Sequence, residues 1–143
     1  MLKIAFVLKS GAEFAMRHAE RLAEQVDEYL DAPHQCYVLT DSRESFSGDG
    51  ARLAIVPLRM SFPGWWSMIE MFRIPGDVLY LDLDCSIVGP LDPLAKLISE
   101  LGANRILMIR AWNRAYAGSP WCTGLTATGA RSSAPGVARS RST

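Results

Sequence analysis

The residues of this chain best suited to chemistry stand together in Tyr80-Leu81-Asp82-Leu83-Asp84, which ends an apolar run and precedes Gly89-Pro90. If residues 78–83 form a strand, side chains two apart share a face. Asp82 and Asp84 then project side by side while Leu81 and Leu83 enter the core. Two neighbouring carboxylates repel each other. A divalent cation between them removes the repulsion, and hard oxygen ligands suit Mg²⁺ or Mn²⁺. Two protein carboxylates leave most of the shell to waters and phosphate oxygens, so the pair implies a phosphate-bearing substrate that carries a metal. The plainer alternative is a strand-end Asp followed by a turn or capping Asp.

Weaker candidates lie upstream. Lys9, Ser10 and Gly11 follow the first apolar run, where backbone amides meet a base or phosphates, or simply turn. Asp41 ends the second run and reads as a hydrogen-bond acceptor for a ribose or base, or as a loop cap. Arg73 either neutralises a diphosphate or complements a helix C-terminus. Trp65 and Trp66 read as packing residues, and Glu70 as a solvated or capping side chain.

The elements that must position these residues follow an α/β order. Residues 3–8 (KIAFVL) form an apolar run before Lys9-Ser10-Gly11, a buried strand and its turn. Ala15, Ala19, Leu22, Val26, Tyr29 and Leu30 recur at helical spacing, predicting an amphipathic helix over 13–30 that Pro33 ends. Residues 36–40 and 53–58 read as second and third strands, with Pro57 marking an edge or bend. Trp65, Ile69 and Phe72 are spaced as one face of a helix, which Pro75-Gly76 breaks. Residues 78–83 are the strongest strand, Asp92 is a candidate N-cap for a helix over 93–101, and 106–109 form a further strand. The alternation predicts a largely parallel sheet flanked by helices.

Composition bounds the function. The 143 residues are 49% hydrophobic and 21% charged, enough for one core and too apolar for a disordered chain. The formal net charge is +0, giving no global argument for nucleic acid as a partner. Residues 113–143 hold four arginines and no acid; the 15 basic residues less these four leave 11 against 15 acidic ones in 1–112. The body is therefore acidic, and the Gly/Ala/Ser/Thr/Pro/Arg-rich tail over 113–143 is expected to be irregular, as from a frame-shifted end. Three scattered cysteines without a Cys-x-x-Cys pair, and two histidines, argue against disulfides and structural zinc and for a reducing compartment. The apolar run near the N-terminus is too short for a signal peptide, and no stretch approaches a membrane span, so a cytoplasmic location is expected.

Three segments together resemble a known family: Pro63-Gly64-Trp65-Trp66-Ser67-Met68-Ile69-Glu70-Met71-Phe72-Arg73, then Gly76-Asp77-Val78-Leu79-Tyr80-Leu81-Asp82-Leu83-Asp84, then Ile87-Val88-Gly89-Pro90-Leu91-Asp92. They are similar to the core of GT-A glycosyltransferases, in particular bacterial members related to glycosyltransferase family 8. That core has a W-x-K-I-E-x-F helix, a hydrophobic strand, a DxD motif and a V-x-x-x-L-D stretch. The opening KIAFVLKSG and the later YVLTD also look like the family's first two strands, so the resemblance spans about residues 2–112. It implies a Rossmann-like GT-A fold, incomplete at its C-terminal side. The implied activity is transfer of a sugar from a nucleoside-diphosphate-sugar to an unknown acceptor. By the same resemblance Asp82 and Asp84 hold Mn²⁺ (or Mg²⁺) against the diphosphate, Asp82 also approaches the ribose, and the nucleotide lies against Lys9, Ser10, Gly11 and Asp41.

The chain departs from the pattern in two places. Met68 stands where the family has a lysine, and the chain is shorter than family domains, whose later part supplies a histidine ligand. Neither His18 nor His34 is placed for that task, and Gly118–Leu125 echoes a sugar-pocket segment with Cys122-Thr123-Gly124 in place of Asn-Ser-Gly. Two alternatives stay open. One is a truncated domain that binds nucleotide-sugar without turnover. The other is a haloacid-dehalogenase-type phosphatase, whose first motif Asp82-Leu83-Asp84-Cys85-Ser86-Ile87 also resembles; that motif normally ends the first strand of its domain, whereas here it lies past the middle of the chain.

Overall fold

A computed structural model of the chain describes residues 1–42, 52–102, 105–108 and 126–130. Its strands are β1 (Leu2–Leu8), β2 (His34–Thr40), β3 (Leu53–Pro57), β4 (Gly76–Tyr80), β5 (Arg105–Met108) and β6 (Thr126–Ala130). They form one sheet in the order β3-β2-β1-β4-β6-β5. β1 pairs in parallel with β2 and β4, and β2 with β3, while β6 runs antiparallel to both β4 and β5. This is the mostly parallel α/β sheet that the alternation of elements predicts. β1 lies inside it with Ile4, Ala5 and Phe6 fully buried, which explains its unbroken apolar run.

The two faces of the sheet have separate covers. On one, Ile4, Phe6, Leu8, Val38, Leu79, Leu81 and Leu83 pack against Ala19, Leu22 and Val26 of α1 (Met16–Tyr29) and Ile98 of α2 (Asp92–Glu100). On the other, Ala5, Leu39, Val78 and Tyr80 meet Met71 and Ile74. The second cover is a 3₁₀ helix over Gly64–Arg73, not the α-helix that its spacing suggests.

At three residues per turn, side chains three apart eclipse one another and form rows. One row, Met68, Met71 and Ile74, packs on the sheet. A second, Ser67, Glu70 and Arg73, is hydrogen-bonded to backbone oxygens and N–H groups before the helix and, from Ser67, to the carbonyl of its first residue, Gly64. The third row, Trp66, Ile69 and Phe72, is exposed. Ile69 and Phe72, which helical spacing groups on one face, thus lie on the outer side. Glu70, expected to be solvated or capping, is only 2% exposed.

Three further expectations are corrected. β4 ends at Tyr80, so Asp82 and Asp84 lie beyond the strand in a turn closed by the Cys85 N–H on the Asp82 carbonyl at 3.1 Å. Asp is favoured at the first position of such turns, and the turn begins at Asp82. Asp92 sits in the first turn of α2 without capping it: its carboxylate accepts N–H bonds from Asp31 (3.1 Å) and Ala32 (3.0 Å), pinning the α1–β2 connection. Thr126–Ala130, within the tail expected to be irregular, forms a strand between β4 and β5. A sheet ladder is built from backbone groups, so TATGA needs no apolar alternation to join one. The rest of 113–143, including Gly118–Leu125, lies outside the described residues.

Candidate functional site

The four parallel strands β1–β4 end on the same edge of the sheet, at Leu8, Thr40, Pro57 and Tyr80. Open α/β sheets bind ligands at this carboxyl edge. The parallel register Leu8↔Thr40 sets the residue after β1 opposite the residue after β2. Lys9 and Asp41 accordingly form an ion pair at 2.5 Å, and the Ser10 N–H donates to the other Asp41 oxygen at 2.7 Å. Gly11 has φ +79 with nothing near a would-be Cβ, so the turn after β1 selects glycine for its backbone conformation alone.

Asp41 thus spends both oxygens on Lys9 and Ser10. Burial pushes its carboxyl up, but the Lys9 and Ser10 hydrogen bonds and the Lys9 charge outweigh this and hold it at about 2, against an ordinary 3.8. A carboxyl lowered on folding stabilises the protein above its unfolded value, and the gain is lost as pH falls through the folded one. Asp41→Asn is therefore expected to flatten the fall in melting temperature between about pH 4 and pH 2. Near neutral pH it should cost less than about 1 kcal/mol, because the pair is solvent-screened. Thermal melts of parent and variant across that range check both.

On the other side of β1, the Leu81 N–H donates to the Ala5 carbonyl at 3.0 Å, extending the β1–β4 pairing one step past the strand. Asp82 follows, half-buried, with the Tyr80 hydroxyl donating to its Oδ1 at 2.6 Å. Burial, then the Asp82 charge, pushes the Tyr80 phenol well above its ordinary range, so it stays protonated and holds that oxygen. Asp84 is exposed and makes no hydrogen bond or ion pair among the described residues. Asp41 and Asp82 thus lie on either side of the β1 end.

Lys9, Ser10, Gly11, Asp41, Asp82 and Asp84 thus share one edge. The donor chemistry fits Mg²⁺ or Mn²⁺: two carboxylates in one turn, one braced by a phenol and the other open to solvent. Among the described residues no group of three or more His, Cys, Asp or Glu side chains is placed to hold a metal. His18 accepts the Ala15 N–H at 2.9 Å at the start of α1, and His34 lies 3.0 Å from Asp27. Cys85, half-buried, has its thiol pushed up by burial and then by both aspartates, which leaves it protonated and a poor nucleophile.

Sequence reasoning gave Tyr80 no role of its own and read Glu70 as a solvated or capping side chain, not as a buried acceptor. Tyr80 carried a signal, since a residue two before Asp82 in an extended segment shares its side.

No protein-family model and no curated protein matches the chain. A search of solved structures finds the apo form of the glycosyltransferase GlyE from Streptococcus pneumoniae TIGR4. The match has a TM-score of 0.53 and 19% identity, over 89% of this chain and 33% of that one. The chain therefore spans about a third of that enzyme's length, and the likeness shows a glycosyltransferase-like fold. No helix among the described residues is long and apolar enough to cross a membrane.

Proposed function

We propose that this chain is the nucleotide-binding part of a metal-dependent glycosyltransferase of GT-A type, related to family 8, acting on a nucleoside-diphosphate-sugar. The observation that carries the reading is the Asp82–Leu83–Asp84 turn at the carboxyl end of β4, on a glycosyltransferase-like fold. Asp82 and Asp84 would hold Mn²⁺ or Mg²⁺. The bound cation would neutralise charge on the leaving diphosphate, a Lewis-acid role. Tyr80 keeps Asp82 oriented, and Asp41 anchors the Lys9–Ser10 turn beside it. Cys36 and Cys85 are free thiols, which favours a reducing compartment such as the cytoplasm.

Titration with UDP, with and without Mn²⁺, followed by tryptophan fluorescence, tests the reading. Saturable UDP binding that strengthens at least about tenfold with Mn²⁺ is expected, since the diphosphate completes the shell. UDP binding indifferent to Mn²⁺ would remove the metal from the reading, and no binding would remove the nucleotide. Hydrolysis of a generic phosphate monoester would instead assign the two carboxylates to phosphatase chemistry.

A further inference from the structure

The most deeply buried acid among the described residues, Glu70, is not part of the site above. Its Oε2 accepts the Arg59 N–H at 2.8 Å and its Oε1 the Met60 N–H at 2.7 Å, while the Arg73 guanidinium also donates to Oε2. Arg73 reaches on to the Pro57 carbonyl at 3.3 Å. One turn earlier in the same row, the buried Ser67 hydroxyl lies 3.1 Å from the Phe62 carbonyl and 2.8 Å from that of Gly64. The segment between β3 and the 3₁₀ helix, residues 58–63, has no regular structure, yet side chains of the helix hold it at both ends. The Leu58 N–H on the Thr40 carbonyl, at 3.0 Å, fixes its start against β2.

Burying a carboxylate costs more than burying an apolar side chain of like volume, and a buried ion pair is weak evidence for stability. What the carboxylate supplies here is one conformation for two consecutive peptide N–H groups that no strand or helix satisfies. Those groups lie just past the carboxyl end of β3, on the edge that carries Asp41, Asp82 and Asp84.

We propose that Glu70, braced by Arg73, is a positioning residue that locks segment 58–63 into one wall of the ligand-binding edge. The wall rests on the nucleotide reading above; the lock does not. With Glu70 replaced by an apolar residue, the two N–H groups find partners only by moving out to water, and the segment opens.

The Arg59–Met60 bond is a trypsin site, so cleavage there reports the lock directly. In Glu70→Met, cleavage at Arg59 is expected to speed up at least about tenfold, while cleavage after Arg17 and Arg21 in α1 stays at the parent rate. Glu70→Gln, which keeps one carbonyl acceptor, is expected to fall between. Equal rates at Arg59 in parent and Glu70→Met overturn the lock. If Glu70→Met fails to fold, Glu70→Gln and Arg73→Gln carry the same comparison. For the wall, UDP affinity in Mn²⁺ should drop about tenfold in Glu70→Met and recover in part in Glu70→Gln. Parent-like affinity in a variant that is cleaved faster overturns the wall and leaves the lock. Failure of the parent to bind UDP overturns the nucleotide reading and the wall with it, while the cleavage rates still decide the lock.

Discussion

Exchanging Asp84 for asparagine is expected to weaken Mn²⁺-dependent UDP binding on the order of a hundredfold or more, with the melting temperature kept within about 2 °C. The small stability effect follows from the position. Asp84 is an exposed residue in the turn after β4, and no hydrogen bond or ion pair among the described residues depends on its charge. The large binding effect follows from charge. On the metal-dependent reading proposed above, a divalent cation held by the two carboxylates would lose one of its two anionic protein ligands, and the isosteric amide would return only a neutral oxygen. Isothermal titration with and without Mn²⁺, paired with thermal melts, measures both quantities. Parent-like binding would leave the turn as a structural feature with no part in a metal site. Outright unfolding would mean that the Asp84 side chain has a structural role that its exposure does not show.

How far the sequence reveals this arrangement depends on the kind of signal each part carries. β1, β2 and β4 are readable because short apolar runs are punctuated by Lys9-Ser10-Gly11, Asp41-Ser42 and Gly76. α1 is readable because Ala19, Leu22 and Val26 keep a 3.6-residue period. Over Gly64–Arg73 the period misleads, since the apolar residues populate two of three rows and only geometry decides which row faces the sheet. Glu70 lies in the remaining row, and its partners Arg59 and Met60 stand before the helix, where no local pattern points to them.

The site shows the same division. Lys9, Ser10 and Asp41 can be chosen as strand-end residues from punctuation alone. The Lys9–Asp41 pair cannot, because it depends on the register Leu8↔Thr40 between strands far apart in sequence. Where β4 stops is equally hidden: Leu81 and Leu83 remain buried, so the alternation continues after the ladder has ended and a turn begins.

The largest stability effect is expected at Phe6, whose replacement by alanine should cost about 3–5 kcal/mol. Phe6 has no exposed surface and lies in the cluster that joins β1 to α1, β2, β4 and α2. Truncation leaves a cavity inside a cluster that includes Ile4, Leu8, Val38 and Leu79 of the sheet and residues of α1, and the sheet cannot collapse into it without disturbing the parallel register. Domains of this kind have a total stability of about 5–15 kcal/mol, so the loss takes a large share of it. Phe72→Ala is the internal control. That ring is 49% exposed on the outer row of the 3₁₀ helix, and its removal should change stability by no more than about 1 kcal/mol. Urea unfolding of both variants gives the comparison. A similar cost at the two positions would mean that the 3₁₀ row assignment is wrong and that Phe72 faces the core. A large cost at Phe6 alone supports β1 as the strand on which the Lys9 turn and, through the Ala5–Leu81 hydrogen bond, the Asp82 turn depend.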